Sequence, residues 1–405
     1  MGAGIRKAAA VLGLALASLG AVGCSKTRGA ASQGTVFLAD DGVHGREPWV
    51  TDGTAGGTSM LADICPGRCS SAILPLVPFQ GAHWFAARVD EDGTPELWKT
   101  DGTKAGTIRV PTRDSARPYE NLLWLAPGQE TLFYLAGAAG RGLGVWKTTG
   151  GAEHQVAETG PRDNACGLVA AGKGLTFAKM GVPHARPFRQ QLCMVDPGGA
   201  GDVTCSELPA GDEAHLETCQ LVPFRGVVYY AGWSSLWKAE GTAATLVKAL
   251  PEDSRVSELV VLTDRLYFAV RGKDEVLWTS DGTTAGTVPI ANVASTARSP
   301  HDDFLIHPVA HRGVLYFAAF APESGTTGQL WRSDGTKAGT APVIDLHPGL
   351  ANARILELYD GREALFLVAF DGEHGDELWR TDGTATGTVL VKRLWGDGAA
   401  ATPRK

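Results

Sequence analysis

Beyond residue 23 this 405-residue chain contains no apolar run near the 18 residues that cross a membrane as a helix. Nor does it show helical hydrophobic periodicity sustained over twelve residues. These two absences exclude later membrane-spanning helices and a helical core. Basic residues are unclustered and outnumbered, 37 Lys and Arg against 44 Asp and Glu, so the charge footprint of a nucleic-acid binder or of a protein drawn to anionic membrane is missing. HExxH, GxSxG and P-loop signatures are absent, and the ten histidines form no close His-x-His pair. Asp90 and Asp92 in VDEDGTPELW are spaced like the start of a calcium loop but lack the remaining ligands and distal Glu, which leaves a hydrated turn. No catalytic residue, metal or cofactor is therefore announced by a motif.

What is present is a repeat. Trp49, Trp98, Trp146, Trp237, Trp278, Trp331 and Trp379 recur along the chain, and five of them head the string Trp-x-Thr/Ser-Asp-Gly-Thr-x-x-Gly-Thr, with Asp52, Asp101, Asp281, Asp334 and Asp382 at its centre. Trp146 and Trp237 head weaker copies, and the double interval between them hides one more, in LCMVDPGGAGDVT, where Cys193 takes the place of Trp. The mean spacing of the eight markers, about 47 residues, is a propeller or solenoid period.

Each unit carries strand signals. Short runs rich in aromatic and β-branched residues precede the markers, among them VFLA (36 to 39), HWFAA (83 to 87), VVYYA (227 to 231) and LFLVAF (365 to 370). Further upstream lies a second run ending in Gly, such as LPLVPFQG (74 to 81), LVPFRG (221 to 226) and LELYDG (356 to 361). Asp-Gly supplies a tight hairpin turn, and a further strand follows the final Thr. The expected fold is all-β: a propeller of eight blades of four antiparallel strands over residues 34 to 398, with only three strands in the first blade, 31 in total. Residues 399 to 405 form a tail. The terminal copies match the consensus well and show no polar capping repeat, which favours a closed ring over an open solenoid. A motif repeated five times is read as structural: Trp packs between blades, while Asp and Thr satisfy their own turn.

The strings ELWKTDGTKAGT (96 to 107) and ELWRTDGTATGT (377 to 388) resemble the ELWxxDGT repeat family of bacterial exported proteins, and the resemblance covers residues 34 to 398. It implies a secreted or envelope-associated propeller-like array with no established common activity. Units 3, 4 and 5 depart from the pattern by losing the Asp-Gly-Thr core in whole or part.

The first 23 residues read as a signal peptide, with Arg6 and Lys7 before the apolar stretch Ala8 to Val22. Ala21-Val22-Gly23-Cys24 resembles a lipoprotein box, which implies lipidation of Cys24. Ser25 is compatible with delivery to the outer membrane, by resemblance to other lipoproteins, and residues 25 to 33 suit a short tether. The mature chain would carry a net charge of −9, 35 basic against 44 acidic residues. Its six remaining cysteines are an even number in an exported chain, so disulfides are expected. Cys65 and Cys69 sit in one loop, Cys193 and Cys205 on adjacent strands of unit 4, and Cys166 and Cys219 at comparable places before units 4 and 5.

The variable segments are expected to lie on the face opposite the Asp-Gly-Thr turns and to carry any ligand site. Candidates are Arg186, Arg189, His301, Asp302 and Asp303, with His44 and His374, which occupy the same turn in units 1 and 8. The leading functional expectation is a binding or scaffold module for a protein or glycan partner at the envelope, held to the membrane through its lipid. The alternatives are a glycan-cleaving hydrolase or lyase and a purely structural envelope component.

Overall fold

Every Trp marker lies in the strand next to the outermost one of an antiparallel unit, four-stranded except in blade 1, and the turn that follows it reverses the chain into the outer strand. The computed structural model describes residues 34 to 395 apart from 72–75, 112–118, 139–141, 151–152, 161–163, 173, 181–189, 199–200, 210–215, 217–218, 273, 296–305, 322–325, 347–353 and 371–374. Eight such units form a β-propeller with 32 strands among the described residues. Blade 1 has three strands, Thr35–Asp40, Arg46–Thr51 and Ser59–Met60, so its innermost strand is missing among the described residues, as the sequence implied. The total exceeds the expected 31 by one because the inner strand of blade 6 is split into Arg255–Val256 and Val260–Leu262. Between the two pieces the Ser257 hydroxyl takes the Ala269 N–H at 2.8 Å, a side chain standing in for a ladder carbonyl.

Pairing is equivalent from blade to blade. Phe37 faces Trp49, Phe85 faces Trp98, Tyr230 faces Trp237 and Phe317 faces Trp331, and in blade 4 Phe177 faces Cys193. Cys193 therefore does hold the marker position. These second-strand aromatics are 0 % exposed, and each contributes roughly 1.5–3 kcal/mol by burial.

The apolar residues form eight clusters, one at each blade interface, instead of a single core. Each marker packs toward the preceding blade: Trp278 joins the cluster of blades 5 and 6, Trp331 that of blades 6 and 7, and Trp379 that of blades 7 and 8. Trp49 joins blade 8 to blade 1, together with Phe37, Phe366, Val368 and Leu378, so the ring is closed. Closure is made by side chains. No strand crosses this seam among the described residues.

The five consensus turns share one hydrogen-bond scheme. In the first, Asp52 Oδ1 accepts from the Thr54 N–H at 2.9 Å and the Thr54 hydroxyl at 2.7 Å, the Gly57 N–H donates to Thr54 Oγ1 at 3.0 Å, and Thr51 and Thr58 join their hydroxyls at 2.7 Å. These bonds favour the ionised form and hold the Asp52 carboxyl below its ordinary range. The second Gly is demanded by contact, since a Cβ at Gly57 would fall on the Asp52 carboxylate.

Disulfides join Cys65 to Cys69, Cys166 to Cys219 and Cys193 to Cys205. Two of the three lie in blades 4 and 5, where the repeat is weakest. Cys193–Cys205 spans two directly paired strands at a Cα separation of 4.1 Å, in place of the Trp packing found elsewhere.

Candidate functional site in the central channel

Beside blade 1, which has no inner strand among the described residues, the channel holds a cavity of about 580 Å³, lined by Gly34, Thr35 and Val36 of blade 1 and by residues of blades 2, 6, 7 and 8. Its walls include apolar Leu76, Pro78, Val309 and Leu358 and polar His83, Glu258, Glu357, Tyr359, Asp360 and Arg362. Asp360 and Arg362 belong to the turn between the first two strands of blade 8, and in a four-stranded meander this turn shares its end with the Asp-Gly-Thr turn. Arg225, in the corresponding turn of blade 5, donates to the Asp281 carbonyl of the next blade at 3.3 Å, which shows the two turn types side by side. The cavity thus reaches the repeat-bearing face. Most of the loop segments expected to carry a site on the opposite face lie outside the described residues.

The seam between blades 8 and 1 is polar toward the channel. The Tyr359 hydroxyl takes the N–H of Leu38 at 3.0 Å and donates to Glu357, which in turn pairs with Arg46. Asp376 Oδ2 takes the Asp40 N–H at 3.1 Å. Two inner-edge N–H groups of blade 1 are thereby satisfied by side chains of blade 8. Burial raises the Tyr359 phenol to about 12, so it stays a neutral donor. On the cavity wall Asp360 pairs with His311 Nδ1 at 2.6 Å. His83 has its imidazole pKa lowered by burial, which favours a neutral ring.

Behind the blade 1 strands, Glu47 is fully buried and accepts the N–H groups of Ile64 and Cys65, both at 3.1 Å, and the Ser71 hydroxyl at 2.5 Å. Burial nevertheless raises its carboxyl to about 7. Glu47 stands two residues before its Trp, the place of Glu in ELW. The same position in other blades serves the indole: Gln329 accepts from Trp331 Nε1 at 2.8 Å, and Glu377 from Trp379 Nε1 at 3.1 Å.

Of the residues singled out in the sequence, His44 bonds Asp41 Oδ2 through Nδ1 at 2.7 Å within its own turn, which raises the imidazole pKa and makes it a turn-stabilising group. It does not line the channel cavity. His374, Arg186, Arg189, His301, Asp302 and Asp303 lie outside the described residues, as does Cys24. No group of three His, Cys, Asp or Glu is placed to hold a metal among the described residues. Tyr359, Arg46 and Glu357 had no sequence signal, since their roles follow from contacts across the seam between blades 8 and 1. On the loop face, Trp233 is 38 % exposed with the Arg255 guanidinium 4.4 Å over its ring.

No family model matches the chain, and no curated protein matches it. Solved structures do. The chain is similar to dihydro-heme d1 dehydrogenase NirN at 14 % identity and a TM-score of 0.57, covering 91 % of this chain and 76 % of that one. It is similar to an oligogalacturonate lyase at 13 % identity and a TM-score of 0.51, covering 90 % and 98 %. A prolyl endopeptidase matches at 13 % identity and a TM-score of 0.51, but the chain spans only 49 % of that protein's length. At such identities the likeness shows the fold alone: a β-propeller.

Proposed function

We propose that this chain is an envelope-tethered propeller lipoprotein of the ELWxxDGT repeat type that acts as a binding or scaffold module for a protein or glycan partner. The observation that carries the reading is the state of the channel cavity. It is roomy and mixed in polarity, as binding sites are, yet Glu357 is engaged by Arg46 and Tyr359 and Asp360 by His311. Carboxylates held in internal pairs support recognition better than acid–base work, which needs groups able to exchange protons with a substrate. Lipidation of Cys24 would hold the ring at the membrane through residues 25 to 33.

Crosslinking and pull-down from intact envelopes, run beside a glycan array, tests the proposal. Specific enrichment of one protein or glycan supports it. A chain that enriches nothing by either route, or that turns over glycans, overturns it. Cys24→Ser should move the protein out of the membrane fraction, and retention there would remove the tether.

A further inference from the structure

In blades 2, 3 and 5 the inner strand is a sheet edge blunted toward the channel by proline. Pro78, Pro127 and Pro223 sit at one shared position of that strand, opposite His83, Leu132 and Val228, where a missing N–H costs no ladder bond. Blade 1 has its edge one strand further out. Leu38 and Asp40 are capped there by Tyr359 and Asp376, and they have the same ladder parity as Val36. Val36 therefore also points its N–H and C=O to the inner edge, and it lines the cavity with Gly34 and Thr35.

The same register defines what would fit. Opposite the positions equivalent to Val36 stand Val77, Val169, Val222, Val260 and Val309 in five of the seven other blades. Opposite the position of Gly34 stand Phe79, Phe224 and Leu262, each buried at a blade interface. By sequence, residues 25 to 33 are poorly suited to be that strand. A two-residue hairpin like those of blades 2 and 5 would set Gly29 opposite Val36 and Ala31 opposite Gly34, which offers neither a β-branched residue nor an anchor.

We infer that the edge Gly34–Val36, which has no inner strand beside it among the described residues, and its cavity form a docking site for a short extended segment of a partner protein. That segment adds as the missing inner strand, with Val at the first paired position and Phe or Leu two residues later. The inference rests on the binding role proposed above and names the protein partner's chemistry. Backbone pairing supplies affinity and the Val and Phe pockets supply specificity, as in strand addition generally.

The probe is a synthetic labelled peptide, LVPFQG, the chain's own residues 76 to 81, titrated into the full mature chain by fluorescence anisotropy. Saturable binding with new hydrogen-exchange protection of the Val36 amide is expected. Replacing Val by Gly and Phe by Ala in the peptide, or N-methylating its Val, should weaken binding at least tenfold. Val36→Pro should do the same without unfolding the ring, since that N–H takes no part in the pairing with Val50. The peptide variants decide the matter should Val36→Pro fail to fold.

Binding indifferent to these changes, or no binding, overturns the site. A Val36 amide already protected in the free protein, with binding only after residues 25 to 33 are deleted, assigns the slot to the chain's own tether and overturns the partner. An envelope partner still captured by Val36→Pro would sink the docking site and leave the binding function standing. Peptide binding beside an empty pull-down would do the reverse.

Discussion

At the scale of single residues, the Asp-Gly-Thr turn works as a contact problem. Gly56 and Gly57 are neighbours in one turn, yet a Cβ at Gly56 meets nothing within 4 Å while one at Gly57 lands on the Asp52 carboxylate. Gly57→Ala should cost about 1–3 kcal/mol, and Gly56→Ala should stay within about 0.5 kcal/mol, by urea denaturation. Glu47 offers a test by pH. Its carboxyl is raised from 4.5 to about 7 in the folded protein, so the unfolded chain ionises first. The stability that comes from keeping it protonated is complete below pH 4.5 and declines until about pH 7, a loss on the order of 3 kcal/mol. Denaturation curves across that window should show the decline, and Glu47→Gln should flatten it. An unchanged slope in the variant would assign the pH dependence to other groups. The Trp and Asp-Gly-Thr roles were legible because each is met within a few residues of sequence. The partners of Glu47 come from 17 to 24 residues away, so only its place in ELW could be read.

At the scale of elements, blades 4 and 5 carry covalent links where the repeat chemistry is weak. Cys166–Cys219 closes 53 residues and Cys193–Cys205 closes 12, and chain-entropy arguments assign them about 4 and 3 kcal/mol respectively. Reduction should therefore remove hydrogen-exchange protection from blades 4 and 5 before blades 6 to 8, whose turns hold complete Asp-Gly-Thr sets. Uniform loss around the ring would contradict this. The placement of these cysteines on adjacent strands or at equivalent positions was legible from the repeat frame, while their connectivity was decided by the structure. The split inner strand of blade 6 was not, since the Ser257 side chain substitutes for a backbone group without altering the apolar pattern.

At the scale of the whole molecule, the ring closes by packing. Trp395, 8 % exposed, lies over Gly42 and Gly375, one in each blade of the seam. Trp395→Ala should cost about 3–5 kcal/mol and make blades 1 and 8 the first to be cut in limited proteolysis. Cleavage starting elsewhere would show that the seam is not the weakest join. The repeat period, the strand alternation and the turn chemistry by themselves determined the all-β propeller, its eight blades and the three-stranded first blade. Each of these is a local pattern, written within one 47-residue unit and counted along the chain. Only the tertiary structure revealed the channel cavity, because it is made of residues from five blades up to 328 positions apart, Gly34 to Arg362. Their meeting depends on ring closure, which packs blade 8 against blade 1 and which no pattern within one unit records.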